Sequence, residues 1–223
     1  MVREVVGRSV PAGISRSFDL ASRAEASPAS SPHPLYDLTK RIIDVAIAST
    51  LLVLALPLIL AACCAIVLTT GQFPLLLQRR VGWLGNEFTL LKLRTMRCEA
   101  VPPAYLVAKP QHDRRVTPIG RLLRRTSIDE LPQLVNVIAG QMTMVGPRPG
   151  LPSEVARYRR PWLRRLSVRP GLTGLWQVSG RSSLPPERWM ALDRCYLSRR
   201  SLGFDLVVLA RTMLAVISMR GAW

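Results

Sequence analysis

Two adjacent carboxylates, Asp129 and Glu130, stand in the stretch TSIDELPQL, residues 126–134. The chain around them is strongly basic: over 223 residues, 31 Lys and Arg face 14 Asp and Glu, a formal charge of +17. One reading of the pair is structural. Ser127 followed three residues later by Glu130 has the spacing of a capping box, in which each side chain bonds the other residue's backbone amide, and Asp129 would favour the positive end of a helix dipole. Pro132 weakens that placement, because as the fifth helical residue its nitrogen would have to donate to the carbonyl of Ile128 and carries no hydrogen. Starting the helix at Asp129, with Pro132 in the first turn, removes the conflict. It also sets Asp129 at a helix mouth beside free amides, a place suited to a phosphate as well as to a cap.

The other reading is chemical. Arg121, Arg124 and Arg125 lie just upstream in RRVTPIGRLLRRTS, and Arg148 sits in GPRPG (146–150), a loop with a proline-held backbone. Carboxylates that needed only a salt bridge would not require such a surplus of cation. A diphosphate would account for it, and a divalent metal would let that anion approach the carboxylates. Other chemistries have little to work with. The only histidines are His33 and His112, neither paired with a Ser or Cys nucleophile, so a His-dependent triad is not expected. Four cysteines without disulfide or zinc spacing point to a reducing, cytosol-facing globular part.

The elements that must position these residues follow from composition. Residues 1–34, rich in Ser, Ala and Pro, read as a disordered tail without the apolar core of a signal peptide. Residues 45–70 are 26 consecutive residues without a charge. As one helix they would reach roughly 39 Å, more than the roughly 30 Å of hydrocarbon in a bilayer, so the segment 35–77 reads as membrane-associated. Lys40 and Arg41 before it and Arg79 and Arg80 after it give mixed topological signals, the larger cluster placing the C-terminal part in the cytoplasm. Pro57 cannot bond the carbonyl of Val53, which predicts a kink. A kinked helix could enter one leaflet and return, or span; these residues allow both.

Downstream, residues 78–223 hold 25 basic and nine acidic side chains and form the expected globular part. FTLLKLRTM (88–96) reads as a strand or hairpin arm near the turn-like GWLGN. LPQLVNVIAG puts Leu131, Leu134, Val135 and Ile138 on one helical face and stops at Gly140. GPRPG and VRPGLTGLWQVSGR (168–181) read as loops. Residues 187–219 are helical in pattern, with Trp189, Leu192 and Tyr196 on one face. The last 18 of them carry Asp205 and Arg211, which favours an interfacial or core-packed helix over a second span.

From residue 40 to the end the chain resembles the bacterial sugar transferase family, the monotopic phosphoglycosyl transferases that begin exopolysaccharide, O-antigen and glycoprotein glycan assembly. The resemblance rests on KRIID (40–44), QRRVGWLGNEFTLLKLRTM (78–96), RRVTPIGRLLRRTSIDELPQLVNVIAGQMTMVGPRPG (114–150), RPGLTGLWQVSGRS (169–182), LDRCYLSRR, FDLVVLARTM and the closing GAW. It implies transfer of a phosphosugar from a UDP-sugar to polyprenyl (undecaprenyl) phosphate, giving polyprenyl-diphospho-sugar and UMP, with Mg2+ required. By motif it makes Asp129 the nucleophile that forms a covalent phosphosugar intermediate and meets the Mg2+. Glu130 becomes the base or accessory group, Arg124 and Arg148 the phosphate holders, and Lys92 and Arg94 the matching basic pair. The implied fold is mostly α with minor β: a kinked re-entrant membrane helix with its break at Pro57, a helix-rich domain over 78–223 on the cytoplasmic face of the bacterial inner membrane, and interfacial C-terminal helices. This chain departs from the family pattern in carrying Leu56-Pro57 where many members have Ser-Pro, and Phe73-Pro74 where Gly-Pro is usual.

Two rival classes remain to be separated from this. A membrane-anchored adaptor would need the charge but not the dyad. A nucleic-acid binder would fit the arginine excess, yet no base-stacking platform or recognition motif is present, so no nucleic-acid partner is expected. A homo-oligomer is allowed by the sequence and not required by it.

Overall fold

The structure is a computed structural model that describes residues 34–97, 113, 115–180 and 184–218. The expected tail lies outside the described residues, apart from Pro34. The chain is mostly helical, with two short two-stranded sheets and one long apolar helix at its start.

That helix, α1 (Pro34–Thr70), is a single element with Pro57 inside it, long and apolar enough to cross a membrane. One seam of it is buried: Asp44, Ala48, Ile59, Ala62 and Ile66. Leu52, Ala55 and Cys63 fill the intervals against the core. Steps of three and four residues keep these side chains in line, so the seam is a helix face lying along the rest of the protein. The other side exposes Leu51, Val53, Leu54, Leu56, Leu58, Leu60, Val67 and Leu68.

The expected hairpin is present. Strand β1 (Leu75–Val81) pairs antiparallel with β2 (Glu87–Leu93) in register Leu75↔Leu93 to Val81↔Glu87. The GWLGN connection uses left-handed backbone at Leu84 and Gly85. Helix α2 (Pro118–Thr126) begins as its sequence dictates: Thr117 caps it by accepting from the Gly120 amide (3.0 Å), and Pro118 occupies the first turn, where no N–H is needed. It ends at Ser127 in left-handed conformation (φ 59), after which a 3-10 turn (Ile128–Glu130) leads to α3 (Gln133–Ile138).

The capping box is not made, and neither is the helix start at Asp129. Ser127 makes no side-chain cap bond, and Pro132 rather than Asp129 takes the N-cap position of α3. The 3-10 turn also rotates the apolar face. Leu134 and Val137 are fully buried and Leu131 and Ile138 partly, while Val135 is 41% exposed. The stop at Gly140 holds, with φ 82. The carbonyls left at this end are satisfied by side chains, Arg41 forking onto Val137 O (2.6 Å) and Ile138 O (2.8 Å) and Arg169 donating to Gly140 O (3.1 Å).

The stretch 168–181, read as a loop, is more ordered than its Gly and Pro content suggested. Within it β4 (Gly171–Thr173) pairs in parallel with β3 (Thr143–Val145), and between these strands lie two single-turn helices, α4 (Pro152–Val155) and α5 (Arg160–Leu163). One further turn, α6 (Leu175–Val178), follows β4. The C-terminal region is two helices, α7 (Pro186–Arg199) and α8 (Leu202–Ser218), broken where Arg200 leaves helical geometry. Tyr196 is buried, Leu192 packs on the core and Trp189 stacks on Trp176 at 4.9 Å. Asp205 and Val208 of α8 are buried, whereas Leu206, Val207, Met213, Leu214 and Ile217 are exposed.

The Met96–Val116 bridge sets α2 against the end of the hairpin, and Gly120 is the point of closest approach. A β-carbon there would run into the carbonyl oxygen of Thr95, which already accepts from the Thr117 amide (3.1 Å). Gly120→Ala is expected to destabilise the fold by about 1–3 kcal/mol, measured as a lowered melting temperature.

Candidate active site

Three elements converge on the dyad. Asn136 of α3 fastens that helix to the edge of β2, accepting from the Leu91 amide (3.0 Å) and donating to Thr89 O (2.8 Å). Lys92, the next strand residue, is thereby held over the 3-10 turn. Its Nζ lies 2.8 Å from Asp129 Oδ2 and 3.3 Å from Glu130 Oε1. Arg148, from the loop after β3, approaches Glu130 Oε1 with both terminal nitrogens at 3.1 Å. The turn made by Ser127 is what aims Asp129 inward. Its residue is 2% exposed, whereas the Glu130 side chain is 21% exposed.

These surroundings separate the two acids. Burial pushes the Asp129 carboxyl above the ordinary aspartate range, with Lys92 opposing and the neighbouring Glu130 charge adding to the rise. Burial would raise Glu130 as well, but Arg148 and Lys92 outweigh it and hold that carboxyl down at about 2. Glu130 is the settled anion, and its charge in turn raises Arg148. At Asp129 burial works against the charge that Lys92 favours.

The remaining expected residues divide. Arg124 reaches Thr95 Oγ1 through Nε (2.9 Å) and lies close enough to feel the charges of Asp129 and Glu130. Arg94 turns to the chain that enters the hairpin, its Nε donating to Phe73 O (2.8 Å). Pro57 lies in α1, whose seam meets this region through Ile59, Ala62 and Ile66 packed with Leu93, Leu123 and Ile128.

Sequence reasoning passed over Arg80. Partly buried beside Arg148, it gives two nitrogens to Gln78 Oε1 (3.1 and 2.7 Å) and one to Pro149 O (3.0 Å). Burial and the Arg148 charge lower it to about 10. Its signal was present in QRRVG, where the alternation of β1 turns Gln78 and Arg80 to the same face while Arg79 points out.

No cluster of three or more His, Cys, Asp or Glu exists among the described residues. A divalent ion here would have Asp129 and Glu130 as its protein ligands, completed by substrate phosphates and water. That is the usual mode for Mg2+, and the hard oxygen donors fit it. The arrangement can therefore receive a phosphorylated substrate on arginine and lysine and present a carboxylate to it.

Comparison with known proteins agrees with this chemistry. The family model described as bacterial sugar transferase matches residues 35–219. The chain is 38% identical over 223 residues to the exopolysaccharide production protein ExoY of Rhizobium meliloti (strain 1021), an alignment covering 91% of this chain and 99% of that one. It is 42% identical over 201 residues to the UDP-glucose:undecaprenyl-phosphate glucose-1-phosphate transferase of Caulobacter vibrioides, covering 86% of this chain and 74% of that one. To the undecaprenyl-phosphate galactose phosphotransferase of Salmonella typhimurium it is 33% identical over 198 residues, 82% of this chain and 41% of that one. Match and site together show that the chain belongs to the bacterial sugar transferase family and is an enzyme of the phosphoglycosyl transferase kind.

Proposed function

We propose that this chain transfers a phosphosugar from a UDP-sugar to undecaprenyl phosphate, releasing UMP, as the first membrane step of a surface polysaccharide or glycan. The observation that carries the reading is the dyad, a buried Asp129 beside a partly exposed Glu130, inside a cradle of Lys92 and Arg148. A relative named for UDP-glucose and undecaprenyl phosphate, and another named as an undecaprenyl-phosphate galactose phosphotransferase, add to it.

The chemistry follows in two displacements. An oxygen of Asp129 attacks the sugar-proximal phosphorus of the diphosphate; the bond to the bridging oxygen breaks, and UMP leaves with that oxygen. An oxygen of the polyprenyl phosphate then attacks the same phosphorus and frees the Asp129 carboxylate. Repulsion between carboxylate and diphosphate is the main obstacle, so Arg148, Arg124 and Lys92 bind the phosphate oxygens and withdraw their charge. Glu130, fixed by Arg148, orients the incoming lipid phosphate. Asp129 and Glu130 would hold a Mg2+ ion, which when bound would add to this charge neutralisation.

In the membrane segment 35–77 we read the helix α1 as bent at Pro57 and dipping into the cytoplasmic leaflet, and 78–223 as the catalytic domain on that face. A seam packed from Asp44 to Ile66 supports a helix lying along the domain, its exposed leucines meeting lipid. The exposed apolar face of α8 would rest in the interface.

The test is a UMP-release assay with purified protein, Mg2+, undecaprenyl phosphate and a panel of UDP-sugars. Release from at least one donor is expected, and silence across the panel would overturn the reading. In the same assay Lys92→Met is expected to cost on the order of 100-fold, with Lys92→Arg recovering part of it, because the cradle needs the charge more than the shape.

A further inference from the structure

The loop that carries Arg148 cannot hold itself in place. Pro147 and Pro149 have no N–H, so two of the three donors in Pro147-Arg148-Pro149 are missing. Its carbonyls are held from outside instead, one after another. Pro147 O accepts from the Gly171 amide (2.9 Å), Arg148 O from Arg165 Nη2 (2.6 Å), Pro149 O from Arg80 Nη1 (3.0 Å) and Gly150 O from the Val81 amide (2.9 Å). The outer two donors are backbone. The inner two are guanidinium groups, and they flank the residue whose side chain grips Glu130.

Arg165 is built for this position. It is 8% exposed, its Nη2 lies 2.8 Å from Asp193 Oδ2, its Nη1 donates to Tyr158 Oη at 2.9 Å, and its guanidinium stands 5.5 Å over the Tyr158 ring. Asp193, from α7, is 1% exposed. A buried ion pair gains little net stability over an apolar pair of the same volume, so stability alone does not account for burying this one. What a planar fork with five fixed donors provides is direction. Nη1 is tied to Tyr158, while Nη2 lies between Asp193 of α7 and the carbonyl of Arg148, to which it donates.

Resting on the reading of Arg148 as a phosphate-binding group, we propose that Arg165, oriented by Asp193 and Tyr158, is a positioning residue that fixes Arg148 over Glu130 and the donor diphosphate. Arg80 does the same one peptide further on. A lysine cannot replace Arg165 in this role, because one ammonium on a flexible stem cannot serve Asp193, Tyr158 and the Arg148 carbonyl at fixed angles.

The experiment compares Arg165→Lys with the unmodified protein and repeats the change in an Arg148→Lys background. Alone, Arg165→Lys is expected to lower kcat about tenfold to a hundredfold, with KM for the UDP-sugar within about threefold. In the Arg148→Lys background the same change should cost less than about twofold, because the group it acts through is gone. Equal losses in both backgrounds, or full kcat in the single variant, would overturn the proposal. A second reading does not need turnover. In protein labelled with 15N-arginine, the guanidinium signal of Arg148, identified by its loss in Arg148→Lys, should pass from restrained to freely averaging in Arg165→Lys; an unchanged signal counts against the proposal. Should Arg165→Lys fail to fold, Asp193→Asn and Tyr158→Phe keep the guanidinium and are judged by the same measurements. UMP release by the unmodified protein decides the function itself, and the arginine signal decides the positioning whether or not UMP appears.

Discussion

Asp129→Asn is expected to abolish UMP release, with a loss on the order of a thousandfold or more, because the amide cannot form the acyl phosphate that the first displacement requires. The substitution is nearly isosteric, so the buried pocket beside Lys92 should stay filled and the protein folded. Glu130→Gln should do less, slowing the second displacement by about 100-fold to 10,000-fold while leaving the first intact. The two variants therefore differ when the lipid acceptor is left out. With UDP-sugar and Mg2+ alone, the unmodified protein and Glu130→Gln should release about one UMP per active site and gain the mass of a phosphosugar on Asp129, since each nucleophile turns over once without an acceptor. Asp129→Asn should do neither. Normal turnover by Asp129→Asn, or an adduct on another residue, would rule out Asp129 as the nucleophile.

The largest expected effect on stability lies at the root of α1. Asp205 of α8 is 5% exposed, pairs with Lys40 at 2.8 Å and accepts from the hydroxyls of Tyr36 (2.9 Å) and Tyr196 (2.8 Å). Lys40 also lies 3.5 Å from Asp44, which accepts from the Thr143 hydroxyl. Asp205→Ala takes the close partner from a largely buried ammonium and leaves the Tyr36 hydroxyl without its acceptor, while Tyr196 keeps only the Val145 carbonyl (2.9 Å). Breaking such a pair costs about 3–5 kcal/mol. In a chain of this length that is a drop of roughly 10 °C in melting temperature, measurable by thermal scanning. Activity per folded molecule should be unchanged, because none of these groups touches the dyad. A melting temperature within about 2 °C of the unmodified protein would show that the cluster is not the clamp the contacts describe.

How much of this was legible in the sequence depends on the range of the signal. Local chemistry read well: the stop at Gly140 and the hairpin arm near GWLGN both depend on a few neighbouring residues. The dyad could be singled out because two acids in a basic chain are uncommon. The capping box failed for a tertiary reason. Ser127 takes left-handed backbone to end α2, and that turns Asp129 toward Lys92, 37 residues earlier, instead of toward its own helix. Strand β4 was missed because its Gly and Pro content mimics a loop, and only pairing with β3 reveals it. Arg165 and Asp193 were missed for a related reason. Among so many arginines nothing in the sequence distinguishes one whose task is to hold another's backbone.

The seam along α1 bears also on how the protein comes to be made. Synthesis delivers this helix before its buried polar partners: Val137 lies 96 residues beyond Arg41, Thr143 lies 99 beyond Asp44, and Asp205 lies 169 beyond Tyr36. At ordinary ribosomal speed the last of these emerges roughly ten to thirty seconds after the first. For that interval Lys40 lacks Asp205 and the apolar seam lacks its domain, so the nascent helix needs temporary cover from lipid or from a chaperone. Completion of the fold is then a late event in the life of the chain, reached when α8 returns to α1.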